Sequence, residues 1–141
     1  MIKTIKRAEA MVDYAKAFIG LKYVWGGNDA HDGGFDCSGL ILEILRSVGL
    51  WGSSDTSAKG LFTSLIDQGW QLVDQADLQA GDILFYGKTR QTIDHVSMAI
   101  NDWQIIEAGG GSETIKRGMT RVRTLTWRKD CCAIIRPREL L

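Results

Sequence analysis

The junction between a glycine-rich loop and an apolar-periodic segment constrains the fold of this chain more than any other feature. It reads Asp36-Cys37-Ser38-Gly39-Leu40, and apolar residues then recur at helical spacing as far as Val48. The pattern predicts a helix that begins close to Cys37. Unpaired backbone N–H groups and the helix dipole favour a thiolate at such a position. Because the charged Asp36 makes an apolar setting less natural, we interpret Cys37 as a nucleophile rather than a buried, inert cysteine.

A proton acceptor for that thiol is expected from one of the two histidines in the chain. His95 begins a predicted strand that extends to Ile100, and alternation places the small residues Ser97 and Ala99 on the same face. These neighbours leave room for a substrate or for the end of a helix. His31 lies in the loop before the cysteine and is expected to be a surface residue. The two residue types together indicate a hydrolase that uses a Cys/His nucleophile.

A third group commonly holds such an imidazole in the required tautomer, and strand parity nominates Glu107 for this role. Two strands that flank Asn101 and Asp102 form a predicted hairpin. A loop with an odd number of residues sets Glu107 directly opposite His95, whereas a two-residue turn pairs it with Val96 on the other face. The Asn-Asp sequence lacks the glycine that the tightest turns favour, which makes it compatible with the odd loop.

Length and composition indicate one packed catalytic domain that spans residues 1–141. Hydrophobic residues make up 45% of the chain, and 17 basic residues balance 17 acidic ones, so no overall field directs the protein to nucleic acid or anionic lipid. No segment reaches membrane-spanning length, and the N-terminus lacks the apolar region of a Sec-type signal. From Glu113 onward, eight basic residues stand against three acidic ones. This excess predicts either a solvated face or a basic wall towards a carboxylate-rich substrate.

No metal or other cofactor is predicted. Asp29, His31 and Asp32 lie close together, but their spacing matches no calcium or zinc loop, and we expect a solvated turn. The stretch Gly109–Ser112 lacks the Gly-Lys-Ser/Thr ending of a phosphate-binding loop and is expected to form a flexible rim of a cleft. The adjacent cysteines 131–132 lie in a predicted strand, where a bridge between neighbours is strained. They are expected to be buried and inert.

The order of the predicted elements indicates an α+β fold with an antiparallel sheet, because the helices come first and the strands last. Residues 28–35 are interpreted as a loop rich in glycine and aspartate. Helical periodicity is found at 4–18, 40–48 and 57–67, and strand patterns at 83–86, 95–100, 103–108, 120–125 and 132–136.

Several motifs, taken in this order, resemble the NlpC/P60 family of cysteine peptidases over about Ala8 to Arg136. A lone Asp-Cys-Ser-Gly would be weak support, whereas the joint order and spacing of the motifs are specific. The motifs are Tyr23-Val24-Trp25-Gly26-Gly27, Phe35-Asp36-Cys37-Ser38-Gly39-Leu40, Asp77-Leu78-Gln79-Ala80-Gly81-Asp82-Ile83-Leu84-Phe85-Tyr86, His95-Val96 and Ile106-Glu107-Ala108.

The resemblance implies a papain-like core in which a helix that carries the nucleophile packs on an antiparallel sheet. It also implies hydrolysis of bonds in bacterial cell-wall stem peptides, often between γ-D-glutamate and a diamino acid. In this assignment Cys37 is the nucleophile and His95 the base, with no metal. Tyr23 matches a tyrosine whose hydroxyl lies near the nucleophile and helps the oxyanion or orients the substrate. Packing of its ring is the alternative role.

Substrate contacts are expected from residues that neighbour the nucleophile in these motifs. Asp36 and Ser38 are placed to touch an amine or a carboxylate of the stem peptide, and Trp25 is assigned to the same group. For Ser38, capping of the helix is the alternative.

One position departs from the family pattern. The third residue, about a dozen positions after the histidine, is most often His and sometimes Asn or Gln, whereas this chain has Glu107 there. A carboxylate accepts the imidazole N–H at least as well, and its charge makes the histidine more basic. The exchange leaves open a specialised substrate, a shifted pH optimum, or a third residue from elsewhere, such as Asp102.

Two other functions stay open at this point. An acyl or amide transferase on the same scaffold would pass the thioester to an amine or alcohol instead of water. A phage tail assembly module would keep the fold for docking, although the retained Cys37/His95 pair speaks against a purely structural role. Since no signal or wall-binding repeat is seen, the expected form is phage- or mobile-element-like, carried in a virion or released through a lysis pore. A secretion-system effector, or a chain trimmed of its leader, would explain both absences as well. Tail or secretion-system proteins are then the expected partners.

Overall fold

A computed structural model of the protein describes residues 2–29, 34–110 and 118–140. Within these ranges the helices are Ile2–Lys16 (α1), Cys37–Ser47 (α2) and Ala58–Asp67 (α3). The strands are Asn28–Asp29 (β1), Gly34–Phe35 (β2), Gln71–Leu72 (β3), Ile83–Gly87 (β4), Ile93–Ala99 (β5), Gln104–Gly109 (β6), Met119–Thr124 (β7) and Cys131–Arg136 (β8). Short 3₁₀ helices are found at Gln75–Asp77, Leu125–Trp127 and Arg138–Leu140.

Six strands form one antiparallel sheet in the order β3-β8-β4-β5-β6-β7. The other two, β1 and β2, pair with each other as a short ribbon. Helix α2 packs on β5 and β6, with α1 and α3 beside it. This arrangement confirms the predicted α+β fold, in which helices from the first half of the chain cover an antiparallel sheet. In the described ranges, no helix is both long enough and apolar enough to cross a membrane.

The apolar stripe of α2 explains why this helix lies on the sheet. Its largest buried residues have no exposed surface and belong to one core cluster: Leu40, Ile41, Leu42, Ile44 and Leu45. Burial of each such side chain contributes about 1.5–3 kcal/mol, so the stripe fixes the helix against β5 and β6. The helix begins at Cys37, three residues before the first residue of the predicted stripe. Its N-cap is Asp36, whose Oδ1 accepts a hydrogen bond from the backbone N–H of Gly39 at 2.7 Å.

The β5–β6 hairpin has a three-residue turn at 101–103. The Asn101 side chain shapes this turn, because its Oδ1 accepts hydrogen bonds from the backbone N–H groups of Trp103 and Gln104. The odd loop length is therefore correct, and Glu107 lies on the same face of the sheet as His95. The predicted direct opposition is wrong. The observed pairs, among them Met98 with Ile106, shift the register by two residues and bring Glu107 towards Ser97.

The segment before α2 is more ordered than predicted. Residues 28–29 and 34–35, interpreted above as loop, form the β1–β2 ribbon, and Tyr23 forms a bridge with Phe35 beside it. Glycines are required here because a Cβ at Gly34 would lie 1.9 Å from the carbonyl oxygen of Lys22, and one at Gly27 would lie 2.4 Å from the carbonyl oxygen of Gly34. The predictions for His31, Asp32 and Gly111–Ser112 concern residues outside the described ranges.

The two adjacent cysteines of β8 differ from the prediction in their exposure. Cys131 and Cys132 are half-buried rather than buried. Burial nevertheless raises the pKa of the Cys131 thiol to about 11 and raises that of Cys132 as well. Both side chains therefore stay protonated at neutral pH, in agreement with an inert role.

A buried ion pair joins the start of β4 to the end of β8. Arg136 donates from Nε to Asp82 Oδ1 at 2.7 Å and from an Nη to Oδ2 at 2.9 Å. Asp82 has no exposed surface, and its Oδ2 also accepts from the backbone N–H of Gln79 at 3.0 Å. The guanidinium of Arg136 thus balances the charge of this carboxylate within the fold, and both of its oxygens accept hydrogen bonds there.

Candidate active site

Cys37 is the first residue of α2 and is half-buried at the bottom of a surface cleft. The preceding residue, Asp36, provides the cap, and Ser38 Oγ donates to the same carboxylate at 3.3 Å. Capping therefore belongs to Asp36 and not to Ser38, which is buried. Burial raises the pKa of Asp36, and the bonds from Gly39 and Ser38 partly oppose this effect.

His95 connects the thiol to the sheet. It is 8% exposed on β5, and its Nε2 lies 2.8 Å from Glu107 Oε1. Cys37 is its other hydrogen-bonding partner. Because Nε2 faces the carboxylate, Nδ1 is the ring nitrogen available to exchange a proton with the thiol. Burial lowers the pKa of His95, but hydrogen bonds with Cys37 and Glu107 outweigh burial and raise the pKa to about 9.

Glu107 is 1% exposed and divides its two oxygens between two partners. Oε1 faces His95, and Oε2 accepts a hydrogen bond from Arg121 Nε at 3.1 Å. Burial alone would raise the pKa of this carboxyl, but the bonds and charges of His95 and Arg121 hold it below its usual value. The alternative third residue, Asp102, is exposed in the turn at the far end of the hairpin.

Tyr23 and Trp25 line the cleft beside Cys37. The backbone N–H of Tyr23 bonds to the carbonyl of Gly118 at 2.8 Å, which fixes this residue beside β7. Burial, followed by the nearby Cys37 and Asp36, raises the pKa of Tyr23 to about 12. Its hydroxyl therefore remains a hydrogen-bond donor at neutral pH. Trp25 is 59% exposed and presents its ring to solvent at the rim.

Two cavities, of about 460 and 430 Å³, meet at Cys37. They share Tyr23, Trp25, Cys37 and Asp94. The first cavity continues along the sheet and is lined by His95, Glu107, Gly109, Gly110, Arg121, Trp127 and Arg128. The second cavity continues past the start of α2 and is lined by Gly26, Asp36, Ser38, Asp55, Thr56, Ser57, Ala58 and Ile93.

The two cavities differ in charge. The first contains Arg121 and Arg128 together with Glu107, whereas the described residues that line the second include Asp36 and Asp55 but no lysine or arginine. A substrate that spans both cavities at Cys37 would therefore have one end beside Arg121 and Arg128 and the other end beside Asp36 and Asp55. Part of the predicted basic excess after residue 113 does face the cleft, through these two arginines.

Sequence reasoning missed two side chains that support the histidine. Tyr86 of β4 pairs with His95, its ring lies 5.3 Å from the imidazole between centroids, and its hydroxyl is 2.7 Å from Ser97 Oγ. Because all five residues of β4 are buried, the strand has no polar–apolar alternation that could have singled out this tyrosine. Arg121 is the other, and the basic character of the C-terminal part was the only sequence signal for it.

The arrangement provides the parts of a nucleophilic acyl-transfer site. A thiol lies at a helix N-terminus, an imidazole contacts it, and a buried carboxylate orients the imidazole. The backbone N–H groups at the start of α2 and the Tyr23 hydroxyl are donors close to the thiol. In the parts of the chain that the structure describes, no cluster of three or more His, Cys, Asp or Glu side chains is placed to hold a metal ion.

Comparison with known sequences gives one consistent answer. A sequence model described as the NlpC/P60 family matches residues 20–136. A γ-D-glutamyl-L-lysine dipeptidyl-peptidase of Bacillus cereus is 28% identical over 77% of this chain and 31% of its own length. The probable endopeptidase YafL of Escherichia coli K12 is 33% identical over 70% of this chain and 38% of its own length. The chain thus spans only about a third of the length of these relatives.

Solved structures show the same fold. An NlpC/P60 family protein from Bacillus cereus superposes with a TM-score of 0.71 at 25% identity, over 92% of this chain and 40% of that one. The NlpC/P60 domain of the peptidoglycan hydrolase SagA superposes with a TM-score of 0.70 at 25% identity, over 91% of this chain and 97% of that domain.

Proposed function

This chain belongs to the NlpC/P60 family, and on that premise we propose that it is a cysteine endopeptidase that hydrolyses peptidoglycan stem peptides. The bond we assign is the one between γ-D-glutamate and the diamino acid. The observation that carries the proposal is the contact series from Cys37 to His95 to buried Glu107, placed where two cavities meet. Two relatives support this assignment: a γ-D-glutamyl-L-lysine dipeptidyl-peptidase for the substrate class, and a probable endopeptidase for the reaction.

The first chemical step forms a thioester. His95 takes the proton of Cys37, and the sulfur adds to the scissile carbonyl carbon. Negative charge develops on the carbonyl oxygen, where the N–H groups at the start of α2 and the hydroxyl of Tyr23 stabilise it. His95 then donates its proton to the nitrogen of the diamino acid, and the carbon–nitrogen bond breaks.

The second step releases the acid product. His95, now neutral, takes a proton from a water molecule, and the resulting hydroxide adds to the thioester. Collapse of the tetrahedral intermediate breaks the carbon–sulfur bond, and the proton on His95 either passes to the departing sulfur or stays on the imidazole beside the thiolate. Glu107 holds the ring in one orientation through both steps and stabilises its charged form.

We further propose a direction for the substrate in the cleft. Because His95 protonates the leaving amine, the diamino acid occupies the cavity that His95 lines, beside Arg121 and Arg128. The γ-D-glutamyl side, which becomes the thioester, occupies the cavity beside Asp36 and Ser38. The three expected substrate contacts, Asp36, Ser38 and Trp25, line this second cavity, and their role in binding remains part of the proposal.

The test is mass spectrometry of peptidoglycan from one diaminopimelate-type and one lysine-type wall, digested by wild type and by Cys37→Ala. We expect new fragments cut after γ-D-glutamate with wild type only. Cys132→Ala removes a half-buried thiol outside the cleft and is the matched control, which should cut like wild type. Absence of a Cys37-dependent product from both walls would contradict the proposal. Transfer of the acyl group to an added amine, in place of a free acid, would indicate the transferase.

A further inference from the structure

Arg121 is the direct cross-strand partner of Glu107 in the β6–β7 pair. Its Nε donates to Glu107 Oε2 at 3.1 Å, while Oε1 of the same carboxylate faces His95 at 2.8 Å. Among the described residues, these two side chains are the ones that bond the Glu107 carboxylate. A contact series therefore runs from Arg121 through Glu107 and His95 to Cys37.

The surroundings hold Arg121 in this place. On one side its guanidinium lies 5.3 Å from the centre of the Trp127 ring. On the other side, a Cβ at Gly110 would lie 2.9 Å from an Nη of Arg121, and one at Gly109 would lie 2.7 Å from Glu107 Oε2. Glycine at 109 and 110 thus leaves the space that the ion pair fills. Gly110 also has a φ of 80°, which side-chain-bearing residues rarely adopt.

A glutamate needs such support more than a histidine or asparagine would. Its carboxylate lies at the end of three rotatable bonds. A single hydrogen bond to the imidazole would hold only one oxygen, and the carboxylate could still rotate away from the ring. The second charged bond, from Arg121, removes that freedom. It also offsets the cost of keeping a carboxylate ionised at 1% exposure.

We propose that Arg121 is a positioning residue: it fixes Glu107 against His95 Nε2, so that Nδ1 of the imidazole faces Cys37. Arg121 thereby assists the proton exchange between thiol and imidazole without touching either one. This role deepens the proposed function, since it concerns the same site. It does not depend on which bond the protein cuts.

Other charged or titratable groups also face the Glu107–His95 pair, and the test must hold them constant. They are Tyr23, Cys37 of α2, Tyr86 of β4, Asp94 of β5, Arg128 and Asp130. The variants below change none of these groups. The matched control is Arg123→Gln, because Arg123 lies on the same strand, 3.8 Å from the Trp127 ring centre, and does not bond Glu107.

The experiment measures the rate at which iodoacetamide alkylates Cys37 between pH 4 and 10, followed by peptide mass spectrometry to separate Cys37 from Cys131 and Cys132. No peptidoglycan is needed, so the outcome is independent of whether stem peptides are cleaved. We expect Arg121→Gln to slow alkylation at pH 6 roughly tenfold and to move the acid side of the profile to higher pH. Arg121→Lys should recover part of the rate, and Arg123→Gln should behave as wild type.

A double-mutant cycle decides whether Arg121 acts through Glu107. In a Glu107→Gln background, the further change Arg121→Gln should have no effect on the profile. An equal effect in both backgrounds would overturn the proposal, as would a wild-type profile for Arg121→Gln. A shift of the acid side to lower pH would also overturn it, because Arg121 would then only offset the charge of a well-placed Glu107. If Arg121→Gln does not fold, as judged by circular dichroism, the same cycle with Arg121→Lys decides.

Discussion

Two buried carboxylates of this sheet each bind an arginine of a neighbouring strand, yet their surroundings differ. Asp82 gives both oxygens to Arg136, at 2.7 and 2.9 Å, and accepts one more bond from the backbone of Gln79. Glu107 gives only one oxygen to Arg121 and the other to His95. Burial is nearly equal, at 0% and 1% exposed.

This difference shows what distinguishes a buried ion pair that supports a reactive site from one that only stabilises the fold. The Asp82 pair is closed on itself, so its charge is balanced whatever happens in the cleft. The Glu107 pair is shared with His95, whose charge changes in the proposed reaction, and Glu107 lines the first cavity together with Cys37. We therefore expect Glu107→Gln to lower mainly the catalytic activity and Asp82→Asn to lower mainly the free energy of unfolding.

The largest expected effect is on catalysis by Glu107→Gln. The amide keeps the shape and can still accept a bond from His95, but it cannot stabilise the imidazolium that forms during the reaction. We expect kcat for release of new amino groups from peptidoglycan fragments to fall by a factor on the order of 10³, with KM nearly unchanged. A similar fall for Asp82→Asn, measured per folded molecule, would contradict the comparison.

The positions of Cys37, His95 and Glu107 could largely be predicted from the sequence, because the patterns that indicate them are local. The helix start at Cys37 follows from the loop and the apolar stripe. Strand parity puts His95 and Glu107 on one face when the loop between β5 and β6 has an odd number of residues. The exact register could not be predicted, since it depends on how the Asn101 side chain bonds the backbone of a three-residue turn.

The residues that complete the site around Cys37, His95 and Glu107 could not be predicted from the sequence, for a physical reason. Arg121 meets Glu107 through the pairing of β6 with β7, and Asp55 reaches the cleft from the segment before α3. Periodicity reports which face a residue is on but not which distant strand or loop lies against it. The same limit applies to Asp82 and Arg136, whose pairing depends on β4 lying beside β8.

The next effect in size is on stability, by Asp82→Asn. Loss of the carboxylate charge leaves Arg136, whose side chain is only 11% exposed, without its ionic partner. Removal of one member of a buried pair typically costs about 3–5 kcal/mol, and the retained amide keeps this change near the lower value. Urea unfolding at pH 7 measures the free energy of unfolding of both variants. A loss for Glu107→Gln as large as that for Asp82→Asn would remove the distinction between the two pairs.

The smallest predicted effect is a pH dependence of stability that only the Glu107 pair should show. The pKa of His95 is raised from 6.5 to about 9 in the folded protein, so its stabilising contribution is complete below pH 6.5 and is lost as the pH rises through 9. Glu107 is one of two partners that raise this pKa. The free energy of unfolding of wild type should therefore exceed that of Glu107→Gln by about 1 kcal/mol more at pH 6 than at pH 10, where only the constant contribution of the Arg121 pair is left.

The Asp82 pair gives the control for that measurement, because its partners include no histidine or thiol. The difference in unfolding free energy between wild type and Asp82→Asn should stay constant from pH 6 to pH 10. An excess over Glu107→Gln that also stays constant would mean that Glu107 does not stabilise the charged imidazole. In that case Glu107 would resemble Asp82, a carboxylate that only holds two strands together. The orientation of His95 would then not depend on the negative charge of Glu107.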